Sequence, residues 1–139
     1  MSFTHIYPLW IYVNKKMAMK SKHDRFQGKR VRYVQPALLM GLYLKSSYGY
    51  ELIQQIQLYG FIEGQAPPGM IYRHLRQLEE DGLVSSEWET AGTGPAKRVY
   101  EITSDGEEVL RIWVEYMEGQ ARRLDDFVSQ YRELKKERV

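Results

Sequence analysis

The 139-residue chain contains no cysteine. That absence rules out a disulfide framework and any thiolate metal site, and it fits a cytoplasmic setting. Long apolar runs are lacking too. The apolar stretch at residues 6–13 falls far short of the about 20 residues a membrane-spanning helix needs. Cations follow that stretch instead of preceding it, and no small-residue cleavage site comes after it, so a secretory signal is not expected. Met17 and Met19 are alternative starts, in which case the aromatic leader would not be translated. His5, His23 and His74 stand alone, without a second ligand at metal spacing. There is no serine elbow, zincin motif or dinucleotide fingerprint. Gly92-Thr93-Gly94 has neither the Lys-Ser/Thr pair nor the following helix of a phosphate loop. The expectation is a protein without catalytic site, metal or cofactor. Internal repeats and low-complexity tracts are absent as well.

What is present is one domain's worth of chain, 43% hydrophobic and 27% charged, as in a soluble globular protein. Its eleven tyrosines exceed what a core of this size needs, which points to an interface or ligand surface. The formal charge of +2 conceals an asymmetry. Residues 14–32 hold eight cations against Asp24, a net +7, while the remainder holds 12 basic and 17 acidic residues, a net −5. Attraction to phosphate must therefore come from local clusters and from this arm. The arm either reaches into a minor groove or acts as a non-specific tether to phosphate or a membrane surface.

The clearest local pattern lies between Gly69 and Thr103. Ile71, Leu75 and Leu78 recur at helical spacing and stack on one face over residues 69–80. Arg73, Arg76 and Gln77 fall on the opposite face with Tyr72 on its flank, and Asp81-Gly82 stops the helix. Val84 to Thr90 and Lys97 to Thr103 read as two strands around a Gly-rich turn, with Thr93 and Gly94 at the tip and Lys97 and Arg98 beside it. A basic helix face next to a basic hairpin suits a DNA duplex, helix in the major groove and hairpin along the backbone or minor groove. The competing reading is a solvated helix face, with Arg76 paired to Glu80, and an ordinary hairpin turn.

Upstream, Pro36 suits the first turn of a helix, and residues 37–44 are apolar nearly all round, as in a helix buried on several sides. Ser46-Ser47 can cap a second helix over Gly49 to Leu58, with Leu52, Ile53 and Ile56 inward and Tyr59-Gly60 closing it. Pro68 fits the first position of the basic helix. Three short helices and a hairpin give a mainly α fold, a winged helix-turn-helix over residues 33–103. Residues 1–32 form an aromatic leader and basic arm, and residues 104–139 a C-terminal helix.

That last helix begins at Thr103-Ser104, where Ser104 and Glu107 have capping-box spacing. Along it Leu110, Trp113, Met117, Gln120, Leu124, Phe127, Tyr131 and Leu134 alternate spacings of three and four, a coiled-coil seam with one polar position. The expected partner is a second copy of the chain, the alternative being a helix folded back on its own domain. Gly119-Gln120 marks an expected kink or hinge, since Gly inside a helix costs up to about 1 kcal/mol relative to Ala.

Ordered short segments then match a known family. They are Ser47-Tyr48-Gly49-Tyr50-Glu51-Leu52, residues 69–75, residues 78–84, Trp88, residues 94–100 and Thr103-Ser104-Asp105-Gly106. Over roughly residues 34–135 the chain resembles the PadR-like transcriptional regulators. The resemblance implies a homodimeric winged-helix repressor of a double-stranded DNA operator, with Tyr72, Arg73, Arg76 and Gln77 on the DNA-reading helix. It also implies a small hydrophobic or phenolic effector. The Gly-Pro-Ala-Lys-Arg hairpin is similar to that of the poly-β-hydroxybutyrate-responsive members. Trp113 and Met117 are the effector candidates, because paired indoles near the two-fold axis sandwich flat ligands in multidrug-binding relatives. There the tryptophan stands where this chain has Met117, so a core tryptophan packing the first and last helices is the preferred reading of Trp113. The seam residues Leu110, Trp113, Met117, Leu124, Phe127, Tyr131 and Leu134 would make the dimer. Two rivals from other classes stay open: a winged helix that docks a partner protein without reading DNA, and association with storage granules or membrane surfaces through leader and arm.

Overall fold

Among the described residues, four helices and a three-stranded sheet follow one another in an order dictated by alternating apolar patterns and Gly/Pro punctuation: α1 (Val34–Leu44), β1 (Ser47–Tyr48), α2 (Gly49–Gln57), α3 (Pro68–Glu80), β2 (Val84–Glu89), β3 (Lys97–Ile102) and α4 (Ser104–Glu137). This computed structural model describes residues 33–62, 64–90, 92 and 94–138. The aromatic leader, the basic arm, His5, His23 and the wing-tip Thr93 lie outside the described residues.

Helix α1 is the central element. Val34, Leu38 and Leu39 are fully buried, and α2, α3, β3 and α4 all pack against it. The burial anticipated for residues 37–44 stops before the end, for Tyr43 and Leu44 are exposed. Pro36 sits in the first turn, where a missing N–H leaves no bond unmade. Leu52 and Ile56 of α2 and Met70, Ile71, Leu75 and Leu78 of α3 complete the core from two sides.

The serines expected to cap α2 do not. Its N-cap is Tyr48, whose N–H donates to the Glu51 carboxylate at 2.9 Å, while Ser46 Oγ donates to Glu101 and Ser47 Oγ to the Lys45 carbonyl. Ser47 and Tyr48 are diverted into β1, which pairs antiparallel with β3 through Ser47↔Tyr100 and Tyr48↔Val99. β2 pairs with the other edge of β3 from Val84↔Ile102 to Glu89↔Lys97, giving the order β1-β3-β2.

Helix α3 starts at Pro68, as expected, and ends in a Schellman motif. Gly82 takes φ +77°, Leu83 N–H donates to Leu78 O at 2.9 Å, and Gly82 N–H donates to Glu79 O at 3.1 Å. Thr103, not Ser104, caps α4, its Oγ1 accepting from Gly106 N–H at 3.1 Å and donating to Gly82 O at 2.8 Å. Hence the start of α4 is stitched to the end of α3. Helix α4 runs 34 residues, roughly 51 Å at 1.5 Å per residue. Its helical run continues through Gly119 without interruption. Side-chain bonds bracket the glycine: Gln120 donates to Tyr116 Oη at 2.8 Å and accepts from Arg123. No helix among the described residues is long and apolar enough to cross a membrane.

Candidate nucleic-acid interface

The inward face of α3 leaves Tyr72, Arg73 and Arg76 exposed on the outward one. Among the described residues no ion pair holds either arginine, and the Arg76–Glu80 pair is not formed. Gln77 differs from its neighbours. It is half-buried and donates to Asp81 at 3.1 Å, one turn further along the helix. His74 is also half-buried, its Nδ1 lying 3.4 Å from Gln35 Nε2 on α1, in keeping with a packed histidine.

Tyr72 is placed by a close approach. A Cβ at Gly49 would come within 2.7 Å of the Tyr72 hydroxyl and 2.9 Å of its Cζ, so the first residue of α2 must be small for the ring to lie there. Gly49→Ala should displace the ring while changing stability by less than about 1 kcal/mol, because a side-chain end can swing clear. If Tyr72 contacts DNA, the same variant should bind DNA severalfold more weakly, as a titration at fixed salt would read.

The wing supplies two cations in different settings. Lys97 is exposed, its Nζ 5.3 Å from the centre of the Tyr48 ring and 5.9 Å from that of Tyr50. These two rings stack at 5.7 Å with 9° between their planes. The Tyr48 hydroxyl donates to Glu89 at 2.9 Å, and holding that proton beside a carboxylate raises the phenol's pKa. Cation–π contacts of this kind are worth about 0.5–1 kcal/mol at exposed sites, enough to bias the lysine's position and not to immobilise it.

Arg98 turns back onto the protein. Its Nε donates to Ser86 Oγ at 2.7 Å and its Nη2 to Glu79 Oε1 at 3.1 Å, and Ser86 Oγ in turn donates to Glu79 Oε2 at 2.6 Å. The guanidinium also lies 5.6 Å from the Trp88 ring and 5.8 Å from that of Tyr100. Tyr100 is buried, which pushes its phenol pKa up against the pull of Arg98. Gly94 is exposed, and a Cβ there would meet nothing within 4 Å. Tyr48, Tyr50, Glu79 and Ser86 were not anticipated. The Ser47–Leu52 motif holds the first two, but only the pairing of β1 with β3 brings them to the wing.

The C-terminal seam divides at its middle. Leu110 and Trp113 are buried in the chain's own core, Met117 and Gln120 are half-buried, and Leu124, Phe127, Tyr131 and Leu134 are exposed. Trp113 makes edge-on contacts with Tyr33 at 6.4 Å and Tyr116 at 6.2 Å, and Tyr33 continues to Phe61 at 5.2 Å. It thus packs the first helix against the last. Further along α4, Tyr33, Gln120, Arg123, Leu124 and Phe127 line an open depression of about 370 Å³. No group of acidic or histidine side chains among the described residues could hold a metal.

Residues 38–112 match the sequence profile of the Transcriptional regulator PadR-like family. A crystal structure of a conserved protein of unknown function, a potential transcriptional factor, is 33% identical, with a TM-score of 0.64 over 77% of this chain and 94% of that one. A transcriptional regulator from Clostridium thermocellum superposes with a TM-score of 0.61 at 24% identity, covering 79% of this chain and 99% of its own. Bacillus subtilis PadR, solved in complex with operator DNA, gives a TM-score of 0.53 at 24% identity over 60% of this chain and 47% of that one. Among curated proteins none matches. With the profile covering more than half of its length, on a winged helix extended by a long C-terminal helix, this chain belongs to the PadR-like family of transcriptional regulators.

Proposed function

We propose that the protein is a cytoplasmic, homodimeric, one-component repressor that binds a pseudo-palindromic operator. The observation that carries the reading is the exposed set of Tyr72, Arg73 and Arg76 on α3, whose arginines make no ion pair among the described residues, beside a wing that offers Lys97. Arginine can bind guanine O6 and N7 bidentately, and each such pair gives ~1–3 kcal/mol of discrimination. Paired α3 helices would enter successive major grooves about 34 Å apart. The likeness to a DNA-bound PadR supports this use of the fold. In this reading residues 33–103 are the DNA-binding unit, residues 104–139 the dimerisation helix, and Leu124, Phe127, Tyr131 and Leu134 the centre of the dimer contact.

An effector fits this scheme best outside the Trp113 core. The depression between Tyr33 and Phe127 offers aromatic and aliphatic walls with Arg123 at its rim, suited to a small phenolic or hydrophobic acid. Since Tyr33 also touches Trp113, a ligand there would bear on the junction of head and helix, and could shift the angle between two heads only through unequal affinity for the two arrangements.

Arg73→Ala tests the assignment of the reading helix. Affinity for the operator, measured by titration at fixed salt, is expected to fall more than fourfold, about 0.8 kcal/mol or more. Unchanged affinity would remove Arg73 from the interface. A wild-type chain that retards no DNA, its own upstream region included, would favour the protein-docking alternative, which the net −5 outside the arm otherwise best supports.

A further inference from the structure

We propose that Trp88 is a DNA-contacting residue of the wing, and that Arg98 is the positioning residue that holds its indole in place. The inference rests on the DNA-binding reading above and adds a contact to it. Alternate residues of a strand share a face, so Val84, Ser86 and Trp88 form one row along β2. The first two lie against α3: Val84 is fully covered, and Ser86 Oγ bonds Glu79 of that helix. Trp88 is next in the row, on the helix-facing side of the wing, yet it is 62% exposed. Glu79, which bonds both Ser86 and Arg98, stands one helical turn from Arg76 and two from Tyr72 on the same side of α3, so the exposed side chains of that helix flank this face. A duplex that meets Tyr72 and Arg76 has its backbone beside the wing row, and the indole is the part of that row left uncovered.

Arg98 stands directly opposite Trp88 in the strand register. Its Nε–H and one Nη2–H are engaged by Ser86 and Glu79, and its guanidinium lies over the indole. The cation is thereby tied to the helix rather than offered to a phosphate. Lys97, one residue earlier, falls on the other face of the sheet with Tyr48 and Tyr50. The helix-facing side of the wing therefore presents an aromatic plate braced by a clasp. An indole suits a sugar–phosphate edge, with a flat apolar body for deoxyribose and an Nε1–H to donate to a phosphate oxygen.

The test uses full-length protein and a duplex that the wild-type chain selects from a random-sequence pool. With Trp10→Phe in the background, duplex binding should change the emission of Trp88 while buried Trp113 serves as reference. Trp88→Ala should weaken binding roughly five- to tenfold with an unchanged thermal midpoint, and Trp88→Phe should recover part of the loss. Arg98→Gln should weaken binding without lowering the slope of log K against log salt, whereas Lys97→Ala should lower it by about 0.9 for each phosphate the lysine had neutralised. Combined with Trp88→Ala, Arg98→Gln should add little, because Arg98 acts through the indole. Wild-type affinity for Trp88→Ala, or a salt slope for Arg98→Gln that falls as far as that of Lys97→Ala, overturns the proposal while the DNA reading stands. A wild-type chain that selects no duplex overturns both.

Discussion

Leu124→Gln, Phe127→Gln, Tyr131→Gln and Leu134→Gln, introduced together, are expected to convert a dimer into a monomer at micromolar concentration. The four side chains are 68%, 73%, 59% and 53% exposed on the single chain, at seam spacing along one helix. Beyond Gln120 every described residue of α4 is exposed, so the second half of the apolar seam has no cover from its own head. Isolated helices shorter than about 12–15 residues are marginal in water, and a free segment only slightly longer gains little stability from itself. Packing against a second copy, as proposed, would supply what the head does not. Burying one such side chain gains about 1.5–3 kcal/mol, so eight across two copies give roughly 12 kcal/mol or more. A micromolar dissociation constant corresponds to about 8 kcal/mol net, and association itself costs on the order of 4–15 kcal/mol. Removing that burial exceeds the margin. Glutamine keeps helix propensity close to that of the residues replaced, which separates loss of the seam from loss of the helix. Sedimentation should report half the particle mass, while the near-UV dichroism of Trp113, buried in the head, stays as it was. A particle of unchanged mass would place the dimer contact elsewhere or show that none forms.

Legibility of this structure in its sequence followed how local each cause was. Helix α3 could be placed to within a residue because its signals are local: Pro68 at the start, Asp81-Gly82 at the end, and apolar residues at helical spacing between. The strands of the wing were equally plain. β1 was not, because two residues carry no periodicity and pair only when β3 is beside them. The serines at 46 and 47 have side chains fit for a cap, and tertiary pairing overrode that fitness. Thr103 and Ser104 are adjacent and chemically equivalent as caps, so the choice between them fell to the bond Thr103 makes with Gly82. Gly119 does not interrupt the helical run. Helix propensity is a weak prior, and bonds from Gln120 to Tyr116 and Arg123 bridge the weak point.

The candidate site was legible by residue type and not by partner. Helical spacing put Tyr72, Arg73 and Arg76 outward, as they are, but grouped Gln77 with them although its amide is bonded to Asp81. Proximity to the turn ranked Lys97 and Arg98 alike. Strand alternation sends them to opposite faces, and only the fold brings Glu79 and Ser86 to Arg98. The seam shows the same limit. Spacings of three and four continue from Leu110 to Leu134, yet the first residues are buried with α1 in the core and the last are left exposed among the described residues. Periodicity reports that a face is apolar; it does not say which surface covers it.

Gly106→Ala should destabilise the head by about 2–4 kcal/mol and lower its thermal midpoint by about 10 °C or more. Propensity alone points the other way, since alanine inside a helix is favoured over glycine by about 1 kcal/mol. Packing decides the sign. Gly106 lies buried in the first turn of α4, where the helix crosses the backbone that links α3 to β2. A Cβ there would overlap the Leu83 carbonyl oxygen and come within 2.7 Å of Ile102 Cγ1 and 3.1 Å of the Leu83 carbonyl carbon. None of these can swing aside as a long side chain would. Leu83 is fixed by its N–H bond to Leu78 O, and its carbonyl accepts from Thr103 N–H at 3.1 Å. Relief would require α4 to lift, which would also break the Thr103 bond to Gly82. Gly119→Ala on the same helix provides the contrast. Its Cβ would meet the Arg123 guanidinium at 3.6 Å, an ordinary separation, so stability should rise by up to about 1 kcal/mol. Thermal unfolding of the two variants should therefore shift in opposite directions, and a Gly106→Ala protein that melts no lower than wild type would refute the close crossing of α4 over Leu83.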